Sequence, residues 1–257
     1  MIKVWDYSKE YELLREDILG AVDDVFKNGP LIFGPRLEEF EEKFSNFHQC
    51  KYGIGVGNCT DAITIALKAL DVGIGDEVLT TSNTAVPTVT AIVNTGATVK
   101  FVDINKYSLM DISKVEEQIS KNTKAIIPVH LYGQMCDMDE IMKISKKYNL
   151  KVIEDCAQSH GATYKGKKAG SIGDVGCYSF YPTKIFGAYG DGGFITTNNE
   201  IVFDRMRRIR FLGMEKKKMS SGHWNGKYYA IEHGTNSRLD EVHAAIMLKK
   251  LPYLDEW

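Results

Sequence analysis

The amino-acid sequence predicts an α/β fold in which a mostly parallel sheet is flanked by helices. Two patterns and one bulk property carry that expectation. Short apolar runs alternate with stretches of helical periodicity through the first half of the chain, and strands separated by helices build parallel sheets covered on both faces. Several runs end in polar clusters, the usual place for ligand-bearing loops at the carboxyl edge of such a sheet. The chain has 257 residues, 44% hydrophobic and 26% charged, enough for a large core and unlike a disordered or fibrous composition.

The elements follow in order. Leu13, Leu14, Ile18, Val22 and Phe26 recur at helical spacing from Tyr11 to Phe26, and Asn28-Gly29-Pro30 ends that helix. A second helix carries Leu37, Phe40, Phe44 and Phe47 on one face, the spacing of core packing. Buried strands are expected at Tyr52–Val56, Glu77–Thr80, Thr98–Val102, Ala125–Val129 and Lys151–Ile153. Helices are expected between them at Asp61–Leu70, Thr84–Val93, Ile112–Ile119 and Met138–Tyr148. Gly173–Thr197 reads as further strands and glycine-rich loops. Glu215–Gly222 reads as a solvated loop, and from Asp240 a last helix places Val242, Ala245 and Ile246 on one side.

Bulk properties narrow the function. Lys and Arg number 32 against 34 Asp and Glu, a formal net charge of -2, which gives no electrostatic reason for nucleic acid or an anionic membrane. No run approaches the roughly 18 apolar residues of a membrane span, and no signal-type stretch follows Met1–Asp6. The five cysteines (Cys50, Cys59, Cys136, Cys156, Cys177) are widely spaced with no CxxC pair. That pattern points to reduced thiols in a cytoplasm, not a disulfide framework or a zinc site.

Three strand ends could carry chemistry. In Gly55–Asp61 a strand turns through Gly57-Asn58 into a helix; backbone amides and the Thr60 hydroxyl could cradle a phosphate there, or Asn58 or Thr60 could simply cap the helix. In Val152–His160, Asp155 is a carboxylate at a strand end, costly to bury unless a cation such as a protonated ring nitrogen faces it; a helix cap or ion pair is the plainer alternative. In Cys177–Gly193, Lys184 sits among aromatics before a glycine-rich turn, surroundings in which a lysine can act as an amine nucleophile, although most lysines are only solvated. Together the three match what pyridoxal phosphate requires: an amine, a carboxylate on the pyridinium nitrogen and a phosphate cup near Thr60 and Ser179.

The runs Ser179–Lys184 with Gly190–Gly193, Glu154–Gly161 and Gly234–Asp240 resemble the motifs of the DegT/DnrJ/EryC1/StrS family of nucleotide-sugar aminotransferases, in order and spacing from about Gly29 to Leu251. The resemblance implies the large domain of a type I, aspartate-aminotransferase-like transferase. Lys184 would be the aldimine lysine and the proton shuttle between Cα and C4′. Asp155 would hold the pyridine nitrogen, and Gln158 would bond near the ring hydroxyl. Thr60, the Asp61 backbone and Ser179 would bind the phosphate, with Asn236 reaching it from the neighbouring subunit of a homodimer. Dehydratases of the same family have histidine where Lys184 stands, so the lysine favours transamination. The implied substrates are an amino-acid donor, glutamate, and a nucleotide-linked keto-sugar; Lys184–Gly190 looks most like enzymes aminating C3 of dTDP-3-keto-6-deoxyhexoses. The alternatives are such a dehydratase, or a non-catalytic cofactor-binding or regulatory protein.

Departures from the family pattern also set expectations. Ala85 stands where many relatives have an aromatic stacked on the ring, and Cys59 replaces a common glycine, which is tolerable if its φ is negative. Relatives continue into a smaller C-terminal domain, so residues 1–240 would form the cofactor-binding large domain and 241–257 the start of a linking helix. No HxxxH or HExxH pair occurs among the six histidines, which argues against a metal site. His130 and His160 could each line the cofactor pocket, and Tyr228, Tyr229 and His233 could touch substrate or equally form a surface loop.

Overall fold

The computed structural model describes residues 5–214 and 229–257; Glu215–Gly222 and Tyr228 lie outside the described residues. Helix α1 (Ser8–Asn28) covers the expected stretch, but its inward stripe is Leu14, Ile18 and Val25, while Leu13 and Phe26 are each 66% exposed. At 100° per residue, Phe26 and Leu13 sit roughly 100° and 120° away from the centre of that stripe, too far to share it. Helix α2 (Pro35–Phe47) buries Leu37, Phe40 and Phe44 as expected and begins with proline at its first turn. Its leading amides are received by a distant carboxylate: Glu241 Oε1 accepts from Gly34 N at 2.7 Å and Leu37 N at 3.0 Å, and Oε2 from Arg36 N at 2.9 Å.

The chain then winds β1 (Tyr52–Val56), α3 (Cys59–Ala69), β2 (Glu77–Thr81), α4 (Val86–Val93) and β3 (Thr98–Val102). After α5 (Val115–Gln118) come β4 (Thr123–Ile126), α6 (Met138–Tyr148), β5 (Lys151–Asp155) and a small hairpin, β6 (Thr163–Tyr164) with β7 (Lys167–Lys168). The described elements end with β8 (Val175–Ser179), β9 (Gly193–Thr197), α7 (Glu200–Ile209) and α8 (Glu241–Lys250). The main sheet has the order β1-β9-β8-β5-β4-β2-β3. Strand β9 runs against both its neighbours, and every other pairing in the sheet is parallel.

Three expectations change. The strand predicted over 125–129 stops at Ile126 because Pro128 has no N–H for the ladder; Val129 resumes as an isolated bridge to Asp155. Strand β3, expected to be buried, is the sheet edge, with Thr98 and Phe101 exposed. The helix predicted over 112–119 is a 3-10 turn, Ile112–Lys114, running into the four-residue α5.

Strand pleating sends alternate residues into two cores. Val152 and Tyr178 face the layer of α2, α6 and α8, with Phe40, Phe44, Ile141 and Met247. Ile153 and Cys177 face the layer of α3, α4 and α7, with Ile63, Ala91 and Met206. Helix α8 packs on α1 through Ile246 against Leu14 and Ile18, so the first and last helices meet.

Candidate active site

Strand register gathers the expected residues at one edge of the sheet. Val56, Gly193 and Ser179 lie in one row across β1, β9 and β8, while Asp155 pairs with Cys177, two residues before Ser179. Asp155 ends β5 and is 4% exposed. Its Oδ2 accepts from Thr88 Oγ1 at 2.7 Å and its Oδ1 from Ala157 N at 3.1 Å. Burial raises the carboxyl pKa, and the bonds from Thr88 and Ala157 offset only part of the rise. Among the described residues no cationic nitrogen lies within the 4.0 Å of an ion pair to it. A buried carboxylate held by neutral donors alone gains from a cation brought to it.

The Gly57-Asn58 turn stands where the sequence suggested a phosphate cup. Asn58 is the cap of α3, its Oδ1 accepting from Asp61 N at 2.8 Å, and its carbonyl takes Ala62 N at 3.1 Å. Of the four leading amides of α3, Cys59 and Thr60 are therefore the two that neither the helix nor its cap satisfies, and they form the anion-attracting end. The Asp61 amide, expected at the phosphate, is already engaged by Asn58. Gly57 N donates to Ser237 Oγ at 2.9 Å, which fastens the Gly234–Asp240 motif beside the cup. On the other side a Cβ at Gly193 would come within 2.5 Å of the Asn58 carbonyl carbon, so β9 starts in direct contact with the turn. Cys59 has no positive φ, and the departure from glycine is accommodated. Ser179 is buried and its Oγ accepts from Tyr181 N at 3.3 Å.

Lys184 stands on the β8–β9 loop, partly buried, on the wall of a cavity of about 590 Å³ with Gln158, Ser159, His160, Tyr132 and Trp257. Its charge is felt at Asp155, Cys59 and His160, which ties the lysine to the carboxylate and the cup. Gln158 Oε1 accepts from Tyr132 N at 3.0 Å, and Tyr132 adopts φ 57°, a left-handed conformation uncommon for an aromatic residue. Two neighbours of Gln158 are buried with side-chain atoms lacking any hydrogen bond: Ser159 Oγ and both ring nitrogens of His160. Burial and the nearby Lys184 charge hold His160 neutral, its pKa down to about 3.

His130 does not line this cavity. Its Nε2 is 2.9 Å from Glu154 Oε2 and its Nδ1 accepts from Cys136 N at 3.2 Å. With Cys156 these two make the His/Glu/Cys cluster found among the described residues, but Glu154 also accepts from Gly170, Ile172 and Gly173 amides at 2.7–3.0 Å. Its ligand atoms are occupied by protein donors, and the cluster serves as a buried brace. Tyr229, His233 and Asn236 are exposed, and Asn236 bridges to Phe211 by backbone. Ala85 caps α4 at the surface. Sequence reasoning missed Thr88, Tyr132 and Trp257 as site residues. Thr88 falls in the same segment as Ala85, and its spacing gave no sign of the carboxylate 67 positions away.

A profile of the DegT/DnrJ/EryC1/StrS aminotransferase family matches residues 12–257. The chain belongs to this family. Among its relatives is the dTDP-3-amino-3,4,6-trideoxy-alpha-D-glucose transaminase of Micromonospora megalomicea subsp. nigra, 46% identical over 99% of this chain and 66% of that protein. The pleiotropic regulatory protein of Geobacillus stearothermophilus is 44% identical over 100% of this chain and 66% of that one. A crystal structure of Streptomyces venezuelae DesV in complex with a ketimine intermediate superposes with a TM-score of 0.91 and 36% identity, covering 100% of this chain and 67% of that one. This member of the DegT/DnrJ/EryC1/StrS family thus spans about two thirds of the relatives it matches, and the whole of its described fold is theirs.

Proposed function

We propose that the chain acts in a pyridoxal-phosphate-dependent aminotransferase that moves an amino group from an amino acid, glutamate, to a keto-sugar carried on a nucleotide. A dTDP-3-keto-6-deoxyhexose is the substrate class, in keeping with the transaminase relative. The observation that carries the reading is Asp155, a buried carboxylate with only neutral donors, at the same sheet edge as an uncapped helix end and Lys184. That donor set suits a protonated ring nitrogen, a phosphate and an aldehyde carbon, in that order.

When bound, pyridoxal phosphate supplies an electron sink that weakens the Cα–H bond of the donor amino acid. Asp155 would hold the ring nitrogen in its protonated form, and the bond from Thr88 fixes the direction of the carboxylate. The Cys59 and Thr60 amides, the Thr60 hydroxyl and Ser179 hold the phosphate, and Gln158 bonds near the ring hydroxyl. Lys184 would anchor the cofactor through its amine and, with that amine free, would serve as the base that shuttles the donor's proton between Cα and C4′. The exposed Asn236 suits a contact to a second subunit, and a homodimer sharing its sites follows on this reading. Residues 1–240 are taken as the cofactor-binding domain and 241–257 as the start of a linking helix. All five cysteines are free and buried, which supports a cytoplasmic setting; no described helix is long and apolar enough to cross a membrane.

The test is a visible absorption titration with pyridoxal phosphate, before and after glutamate, with Lys184→Ala alongside. A band that forms on the native chain, bleaches with glutamate and is absent in the variant is expected. A native chain that forms no band sinks the assignment. The name of the Geobacillus relative favours a second reading, a cofactor-binding regulator; a band that glutamate and keto-sugar nucleotides leave untouched would point to it.

A further inference from the structure

The loop that carries Lys184 joins Ser179 to Gly193, and its own backbone closes it. Lys184 N donates to Tyr181 O at 2.9 Å, Ala188 N to Phe180 O at 2.7 Å, and Phe180 N to Gly192 O at 2.8 Å. The two arms touch at Gly187, where a Cβ would lie 2.6 Å from the Pro182 carbonyl oxygen, so a larger residue would force them apart. These bonds fix the shape of the loop, and its buried Phe186 and Ala188 seat it on the core beside Phe40 and Phe44.

Two charged side chains from outside the site add a directional tie. The Gly187 carbonyl accepts from Lys250 Nζ. Lys250 lies on the inner side of α8, 2% exposed, with its Nζ 2.7 Å from Glu10 Oε1 on α1. The same Glu10 oxygen accepts from the Tyr189 hydroxyl at 2.9 Å. Rings of Tyr189, Trp257 and Phe186 surround the ammonium at 5.2, 5.6 and 5.9 Å. A cation from α8 and an anion from α1 thus converge on the loop three and five residues past Lys184. Burying an ammonium is unfavourable unless its donors are met, and the partners here include the backbone of the very loop that presents the lysine.

We propose that Lys250 and Glu10 are a positioning pair for Lys184, setting the height of its loop above the sheet so that only the lysine side chain moves during the reaction. This rests on the reading of Lys184 as the cofactor lysine. Charge-assisted hydrogen bonds are strong and directional enough for the task, and a loop without such ties would open at low cost.

The experiment compares the full chain with Lys250→Met and Tyr189→Phe. Backbone hydrogen exchange over 181–193 is measured without cofactor, and the affinity for pyridoxal phosphate and the pH profile of its absorption band with it. Loop exchange in Lys250→Met is expected to rise about tenfold and the affinity to fall about tenfold, the worth of one charge-assisted bond. The pH profile of the band should move, and exchange in α3 and β5 should stay as in the native chain. A loop that exchanges as before overturns the proposal. So does faster exchange spread evenly through α3 and the sheet, which would make Lys250 ordinary packing. A looser loop with unchanged affinity and unchanged pH profile also overturns it. If Lys250→Met does not fold, Tyr189→Phe decides, since it removes one hydroxyl bond to Glu10 and must shift the same three readouts in the same direction. A native chain that forms no band removes Lys184 from the cofactor while leaving the exchange comparison to judge the tie itself.

Discussion

Thr88 Oγ1 donates a 2.7 Å hydrogen bond to Asp155 Oδ2, and Thr84 Oγ1 lies 2.7 Å from Thr88 Oγ1 in turn. Two hydroxyls at the start of α4 thereby form a chain that ends on the carboxylate of β5. Once Thr88 gives its proton to Asp155, Thr84 must be the donor to Thr88, and the chain has one direction. It locks the carboxylate without neutralising it, which leaves its charge available to a ligand.

Thr88→Val keeps the volume and removes the bond. With one oxygen left unpaired the carboxylate is harder to keep ionised, and affinity for pyridoxal phosphate is expected to fall about tenfold. Equilibrium titration of the visible band checks this; affinity equal to that of the native chain would mean that Asp155 does not need the hydroxyl.

Gly193→Ala tests the cup from its far side. The added methyl would meet backbone atoms of Asn58 and Cys59 at 2.5–2.9 Å, and backbone cannot swing aside as a side chain can. The expected cost is about 1–3 kcal/mol by urea unfolding, with a larger proportional loss of cofactor affinity than at a remote site of equal cost. Loss of stability with native affinity would place the phosphate elsewhere.

His48 makes acid stability predictable. It is fully buried; its Nδ1 sits 3.0 Å from the Phe44 carbonyl and its Nε2 accepts from Gly161 N at 3.3 Å, so one neutral tautomer fills both bonds. Burial holds its pKa down to about 3, as it does for His160. A folded pKa below the unfolded 6.5 means that the unfolded chain binds the extra proton between those values. Stability therefore rises with pH across that window and is lost as pH falls from about 6.5 toward 3, by roughly 1.4 kcal/mol per pH unit for each histidine. Urea unfolding of His48→Gln between pH 4.5 and 6.5 should show a slope shallower by about one proton.

Glu241→Ala would strip the cap from α2. Three amides, on Gly34, Arg36 and Leu37, lose their acceptor in a buried setting. A loss of about 3 kcal/mol, or roughly 6–12 °C in Tm, is expected. Calorimetry on this variant beside Glu241→Gln, which keeps one acceptor oxygen, should show partial recovery.

What the sequence disclosed and what it withheld divide along a physical line. Strand–helix alternation placed β1, α3, β2 and α6 within a residue or two, because apolar periodicity is a local property. Lys184, Asp155, Gln158 and the Gly57-Asn58 turn were visible as strand-end clusters, and register brings them to one edge. The edge position of β3 was not visible, since exposure depends on which strands pair and not on Thr98–Val102 themselves. Nor was the early end of β4, although Pro128 was there to be read. Thr88 and Glu241 were missed for one reason: each acts on a partner far along the chain, and an ordinary Thr or Glu carries no mark of it. Helix α7 was passed over; its five charged residues equal its five apolar ones, and only Met206 and Ile209 are buried.

The meeting of α1 with α8 bears on the order in which the protein is made. Leu14 and Ile18 emerge from the ribosome long before their buried partner Ile246, which follows only after the whole sheet has been translated. The parallel strands and their helices can assemble while this first helix waits, and the closing contact is one of the longest in sequence that the chain makes. Because Glu10 and Lys250 belong to that same late contact, the bond from Lys250 to the lysine loop forms only when synthesis has passed α8. A chain halted earlier would hold its sheet while leaving the Lys184 loop without its bond from Lys250.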